Sequence, residues 1–139
     1  MFRSVTAFLE SFSLWASAQP DIEGVALVGS YARDAATEES DVDLLILTPD
    51  VAGYLRDRSW LSRFGEAAPC REEDWGRVTS LRAFYEGGPE VEYGFSTPDL
   101  ADVPVDPGTS RVVSDGMKIL YDPRGLLATL QREVVSGRK

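Results

Sequence analysis

Two short apolar runs mark the first third of the chain. Val25–Val28 stops abruptly at Gly29-Ser30, and Leu44–Leu47 follows an acidic segment. Short apolar runs of this kind, ended by Gly or by polar residues, are typical of buried β-strands. The pattern predicts one strand over residues 22–28 and a second that ends near Thr48-Pro49.

Helical periodicity opens and closes the chain. Residues 2–18 carry apolar side chains at intervals of three and four, which predicts an amphipathic helix packed on a sheet. These apolar positions are Phe2, Val5, Phe8, Leu9, Phe12 and Trp15. Residues 123–135 repeat the pattern and predict a closing helix. Between them, Asp50 is a good N-cap for a helix that reaches Arg58.

The remaining segments are predicted from turn residues and from runs of strand-forming residues. The predicted elements are a short helical piece over 60–64, a polar loop over 65–74 that is a candidate mobile lid, a hairpin of strands 78–85 and 90–95, a surface loop over 97–108, a short helix over 109–114 and a strand over 117–121. This order predicts an α+β or mixed α/β fold, a small twisted mixed sheet with helices packed mostly on one face. With 139 residues, the chain is expected to form a single domain over 1–139.

The amino-acid composition excludes several kinds of catalytic, metal and binding sites. The chain has no histidine, which excludes Ser/His triads and His-ligated zinc, and its one cysteine, Cys70, excludes an internal disulfide. The net charge of −9 argues against broad nucleic-acid binding, which depends on Lys and Arg contacts to phosphates. No apolar run reaches membrane length and the first residues do not resemble a signal peptide, so a cytoplasmic location is expected.

Candidate chemistry concentrates where the two apolar runs meet the loop between them. Asp41 and Asp43 project from one face of the second strand because side chains alternate along a strand. Two carboxylates this close repel each other unless a cation lies between them, and oxygen ligands suit Mg²⁺ or Mn²⁺. The Gly29-Ser30 turn offers backbone N–H groups to a phosphate. Arg33 is either a phosphate partner on the turn that follows or a solvated side chain.

The spacing Gly29-Ser30, ten residues, then Asp41-Val42-Asp43 resembles the signature of the DNA polymerase beta-like nucleotidyltransferase superfamily, in particular its minimal members. Arg33 and Ser40 occupy positions where small members carry similar residues. The resemblance implies that Gly29, Ser30, Arg33 and Ser40 bind a nucleoside triphosphate, with ATP the expected substrate.

The same resemblance implies a third carboxylate on a later strand beside the second one. Glu92, in the second arm of the predicted hairpin, is the expected residue, and Glu90 on the same face is the alternative. A glutamate here departs from the commoner aspartate. Asp41, Asp43 and Glu92 would then be both catalytic and metal-binding, holding two divalent ions about 3.5–4 Å apart for in-line displacement at phosphorus.

The acceptor of the nucleotide stays open at the level of sequence. One alternative is a protein hydroxyl, as in antitoxins that transfer AMP to a HEPN-type toxin; another is a small molecule, with a homodimer completing the pocket. A third alternative is a nucleotide-binding or protein-binding module that has lost turnover.

Overall fold

The computed structural model describes residues 5–37, 40–67, 70–87 and 90–136. Its helices are α1 (Val5–Ser17), α2 (Val51–Arg56), α3 (Pro107–Asp115) and α4 (Leu126–Ser136), with two short 3₁₀ helices at Ser59–Phe64 and Pro98–Ala101. Its strands are β1 (Gly24–Val28), β2 (Val42–Leu47), β3 (Arg71–Asp74), β4 (Thr79–Phe84), β5 (Glu90–Ser96) and β6 (Met117–Tyr121).

The strands form one mixed sheet in the order β3-β4-β5-β2-β1-β6. β2 and β5 are parallel, whereas every other neighbouring pair is antiparallel. The mixed α+β class expected from the sequence is confirmed. The parallel pair at the centre of the sheet has the largest consequence for function, because it aligns the starts of β2 and β5 at one edge.

Helices cover both faces of the sheet. On one face, Phe8 and Phe12 of α1 pack with Tyr93 of β5 and with Phe64 of the first 3₁₀ helix. The opposite face carries a second apolar cluster formed with α3, α4 and the second 3₁₀ helix. The expectation of helices mostly on one face is therefore wrong, because β1 and β2 are apolar on both sides and both sides must be buried.

Capping carboxylates fix where three helices begin. Asp50 accepts the amide of Gly53 at 3.1 Å, as its position in the sequence predicts. Asp106 accepts the amide of Thr109 at 3.0 Å, so α3 begins two residues before its predicted start. Asp122 accepts the amide of Leu127 at 3.0 Å, and α4 begins at Leu126 instead of residue 123.

The polar segment over residues 65–74 is a loop only in part. Arg71–Asp74 forms the edge strand β3, which pairs with β4 along its full length. Its side chains are mostly exposed, so main-chain hydrogen bonds and not burial hold it in place. Such a strand has no apolar alternation, which explains why sequence pattern missed it. The predicted lid also includes residues 68–69, which lie outside the described residues.

Two further segments, residues 97–108 and the start of the first helix, were also predicted from the sequence. The 97–108 segment was expected to run over the surface, yet Leu100 in it is buried against the second apolar cluster. Residues 2–4 of the predicted first helix lie outside the described residues. No helix in the described part of the chain has the length and apolar character needed to cross a bilayer.

Candidate active site

Three carboxylates meet at one edge of the sheet. Asp43 of β2 lies directly beside Glu92 of β5 in the parallel register, and Asp41 immediately precedes β2. One carboxylate oxygen from each of these three residues lies within 4.8 Å of the other two. Glu90 is not a member of this cluster of described residues. The structure thus brings together the three acids that the sequence singled out, which we call the acid cluster.

Gly29 makes the tight approach to the acid cluster possible. Its φ of +76° is a left-handed backbone conformation that glycine adopts without strain. A Cβ atom at this position would overlap the carboxylate of Asp43. Both the backbone angle and the contact therefore require glycine, and any group bound at this turn lies next to the acid cluster.

The chain after Gly29 forms a single compact turn. The amides of Ala32 and Arg33 both donate to the carbonyl of Gly29, at 3.0 and 3.3 Å. Among the described residues, the amides of Ser30 and Tyr31 have no such acceptor and remain available to an anion. The helical turn expected over residues 31–36 is present in this shortened form.

The two side chains expected to assist at the nucleotide differ in placement. Arg33 is exposed, lines the cleft beside the acid cluster and makes no salt bridge within the described part of the chain. The hydroxyl of Ser40 instead accepts the amide of Thr37 at 2.8 Å, which closes the loop before β2. Lys118 on β6 pairs with Asp34 at 2.7 Å.

Arg82 of β4 lies against the acid cluster, opposite Glu92 in the β4–β5 register. Its Nη1 donates to Asp41 Oδ2 at 2.8 Å and to Glu90 Oε2 at 2.9 Å. Its Nη2 lies 3.4 Å from Glu92 Oε1. The guanidinium thus bridges two members of the acid cluster and draws Glu90 to its outer side.

Electrostatics in the acid cluster favour a bound cation. The pKa of Asp43 is raised to about 8, mainly by burial and also by the charge of Asp41 and the hydrogen-bonded carboxyl of Glu92, while Arg82 opposes the rise. A carboxyl with this pKa holds a proton at neutral pH unless another positive charge replaces it. The donor set, three carboxylates with converging oxygens, fits a hard divalent ion such as Mg²⁺ or Mn²⁺.

A cleft of about 480 Å³ opens from the acid cluster and follows α3. Gly116, at the end of α3, packs against Arg33, while Asp106 at the start of α3 lies 3.6 Å from Arg77. The cleft therefore extends along α3, about 13 Å for nine residues. Its walls include Trp75 and Val112, both exposed, together with the carboxylates of Asp106 and Asp115.

Sequence reasoning missed Arg82 and the α3 wall of the cleft. Arg82 stands between Leu81 and Ala83, two buried positions, so strand alternation places it on the face opposite to theirs. The predicted hairpin register could have set it across from Glu92. No sequence signal indicated that α3 lies beside the acid cluster, because that contact is between residues far apart in the chain.

Comparison with known proteins identifies the family. The nucleotidyltransferase domain family matches residues 10–84, more than half of the chain, including the Gly29 turn and both aspartates. No curated protein sequence gives a significant match. Glu92 lies beyond the matched residues, so the family match does not extend to the third acid.

One solved structure shares the fold at low sequence identity, and a second aligns more weakly. An aminoglycoside 6-adenyltransferase from Bacillus subtilis aligns with a TM-score of 0.54 and 19% identity, over 73% of this chain and 38% of its own length. A CCA-adding enzyme in complex with CTP aligns with a TM-score of 0.47 and 15% identity, over 94% of this chain and 35% of its own. The chain thus spans little more than a third of either protein. The family match, which spans the Gly29 turn and the aspartate pair, shows that this chain belongs to the nucleotidyltransferase domain family.

Proposed function

We propose that this chain, acting as one nucleotidyltransferase-like domain, transfers AMP from ATP to a hydroxyl group of an acceptor. The observation that supports this most directly is the convergence of Asp41, Asp43 and Glu92 beside the Gly29 turn. The cofactor would be Mg²⁺ or Mn²⁺, held by these three carboxylates. The cytoplasmic location expected from the sequence is part of the same proposal.

Each residue of the site has a distinct role in this reaction. The Gly29-Ser30 turn and Arg33 bind the β- and γ-phosphates, and Ser40 contributes by closing the loop that precedes the aspartates. Bound divalent ions would neutralise the phosphates and favour deprotonation of the acceptor hydroxyl. Glu92 accepts the proton, because the chain has no histidine and a carboxylate of the acid cluster is the nearest base. The acceptor oxygen bonds to the α-phosphorus while the bond to pyrophosphate breaks, and the electron pair leaves with pyrophosphate.

A small molecule with a hydroxyl group is the acceptor that the cleft along α3 fits best. The cleft, which includes Gly29 and part of the acid cluster as well as the part along α3, has a volume of about 480 Å³, in the range of small-molecule sites. The walls carry charges of both signs, the carboxylates of Asp106 and Asp115 and the guanidinium groups of Arg33 and Arg77, which suits a polar acceptor.

A protein acceptor, such as a HEPN-type toxin, is the second candidate. Trp75 and Val112 expose apolar surface on the walls of the cleft, which is typical of protein contact sites. A Ser, Thr or Tyr side chain of the partner would then present its hydroxyl to the acid cluster.

Calorimetry followed by mass spectrometry tests the function. The chain is titrated with a non-hydrolysable ATP analogue and Mg²⁺, and then incubated with MgATP and each acceptor class. Acceptors include aminoglycosides, the substrates named for the B. subtilis neighbour, and a purified HEPN-type toxin. We expect Mg²⁺-dependent binding and an added AMP on one acceptor.

Asp43→Asn is the decisive variant for this proposal. It removes a charged metal ligand and should reduce transfer by about a hundredfold or more, since even outer-shell changes cost 10–100-fold. Asp102→Asn, at an exposed aspartate outside the cleft, is the matched control and should leave transfer intact. Unchanged transfer in Asp43→Asn would contradict the assigned role.

A catalytically silent module on the same scaffold gives a different result in the same experiment. It would bind the analogue with Mg²⁺ but add no AMP to any acceptor. Absence of nucleotide binding would contradict both the enzyme and the nucleotide-binding module.

A further inference from the structure

Arg82 is placed as a counter-cation of the acid cluster. Its guanidinium lies within 4.0 Å of four carboxylates, those of Asp41, Glu73, Glu90 and Glu92. Two of them, Asp41 and Glu92, belong to the acid cluster and contact separate nitrogens of the same guanidinium. Arg82 therefore neutralises part of the charge that a divalent ion would otherwise neutralise.

The position of Arg82 is fixed by its surroundings. Its side chain is only 16% exposed although arginine is usually solvated. Its Nε is buried and makes no hydrogen bond to any described residue; Glu73 Oε1 lies 3.9 Å from it. Four surrounding carboxylates and burial together oppose its departure, so the charge stays beside the acid cluster when another cation arrives.

We propose that Arg82 is a built-in counter-cation that weakens the binding of free divalent ions, so that the ions bind together with the nucleoside triphosphate. This inference rests on the proposed function of the acid cluster. A free ion must share Asp41 with a guanidinium 2.8 Å away, and the two positive charges repel each other. The negative charges of a triphosphate offset that repulsion, so metal and nucleotide bind with positive coupling.

Binding of Mn²⁺ in the absence of nucleotide tests the inference directly. Free Mn²⁺ is measured by electron paramagnetic resonance during titration of the metal-free wild-type chain and of Arg82→Gln. We expect Arg82→Gln to bind Mn²⁺ about tenfold more tightly or better, because a unit charge close to the ion is removed. An affinity equal to or weaker than that of the wild type would overturn the proposal and make Arg82 a purely positioning residue.

Two variants separate local charge from other effects. Arg132→Gln makes the same change in net charge on the exposed part of α4, outside the cleft, and should leave the Mn²⁺ affinity unchanged. Arg82→Lys keeps the charge but loses the forked geometry, and its affinity should stay within about threefold of the wild type. An increase in Arg132→Gln equal to that in Arg82→Gln would contradict a local role.

Loss of Arg82 leaves several carboxylates uncompensated and could unfold the metal-free chain. The double variant Arg82→Gln with Glu90→Gln removes one charge of each sign and keeps the local net charge. We expect it to fold and still to bind Mn²⁺ more tightly than the wild type, because Arg82 contacts two members of the acid cluster and Glu90 lies outside it. Circular dichroism checks folding; affinity at or below that of the wild type overturns the proposal.

The effect of the nucleotide on Mn²⁺ affinity is the second measurement that tests this inference. Addition of the non-hydrolysable ATP analogue should raise the Mn²⁺ affinity of the wild type by a larger factor than that of Arg82→Gln. An equal increase in Mn²⁺ affinity in the wild type and in Arg82→Gln would contradict the proposed coupling between metal and nucleotide. These affinities are independent of transfer, so a chain that shows them but transfers no AMP keeps this inference and loses the proposed activity.

Discussion

Gly29 illustrates how one missing side chain shapes the site. The carboxylate of Asp43 occupies the space that a Cβ at Gly29 would need, so even a methyl group would displace the acid. The other glycines with positive φ serve turns, and two of them, Gly76 and Gly125, face open space. Gly29 combines a positive φ with a Cβ direction that points directly at the acid cluster.

Gly29→Ala should abolish Mg²⁺-dependent nucleotide binding while the chain stays folded. The substitution costs about 1–2 kcal/mol of backbone strain and displaces Asp43 as well. Gly125→Ala is the matched control, since its φ of +71° is nearly the same and nothing lies within 4 Å of the added Cβ. In urea unfolding Gly125→Ala should lose the stability that backbone strain costs and Gly29→Ala at least as much, and only Gly29→Ala should lose binding by calorimetry. Loss of binding in both would assign the effect to strain alone.

At the scale of elements, the pattern of hydrophobic and polar residues predicts the helices and strands that bury one or two faces. It misses a strand that is held in place mainly by main-chain hydrogen bonds. β1, β2 and the β4–β5 hairpin follow from apolar runs and a turn, and α1 follows from its aromatic stripe. β3 escapes prediction because an exposed edge strand needs no apolar residues. The shared face of Asp41 and Asp43 was predicted from the alternation of side chains along one strand. The position of Glu92 beside them was predicted only from a family resemblance.

The aromatic stripe of α1 gives a clear prediction of stability. Phe12 is fully buried and its ring contacts those of Trp15, Phe64 and Tyr93. Phe12→Ala should lower the free energy of unfolding by about 3–5 kcal/mol, measured by urea denaturation. Leu14→Ala, on the same helix at a position 75% exposed, should change it by less than about 0.5 kcal/mol. Similar losses in both would mean that α1 does not pack through this stripe.

The wall formed by α3 predicts a selective effect on the acceptor. Val112→Trp fills part of the cleft and should reduce transfer about tenfold while binding of the ATP analogue with Mg²⁺ is retained. Val135→Trp, at an exposed position of α4 outside the cleft, should have no effect. Weaker analogue binding in Val112→Trp would instead place the nucleoside, and not the acceptor, along α3.

For the whole molecule, the acid cluster links stability to pH. The pKa of Asp43 is raised from 3.8 to about 8, so the folded chain binds this proton more tightly than the unfolded chain does. The stabilisation is complete below the unfolded value and is lost as pH rises through about 8. The Tm of the metal-free chain should therefore fall between pH 6 and pH 9 by an amount that Asp43→Asn removes. Saturating Mg²⁺ should reduce the fall, because the ion replaces the proton.

The dependence of Tm on pH also distinguishes Asp43 from other buried ionisable groups. Burial raises the pKa of Tyr85 to about 12, too high to contribute between pH 6 and pH 9. A fall in Tm that persists unchanged in Asp43→Asn would contradict the assignment to this carboxyl.

The parallel pairing of β2 with β5 has a consequence for synthesis of the chain. Asp43 leaves the ribosome 49 positions ahead of Glu92, its lateral neighbour in the finished sheet. Until β5 emerges, β2 exposes an unpaired backbone edge and the two aspartates have no third partner. A nascent chain that ends at residue 84 would contain every residue of the family match, yet it would be prone to aggregate and would lack the third carboxylate of the acid cluster.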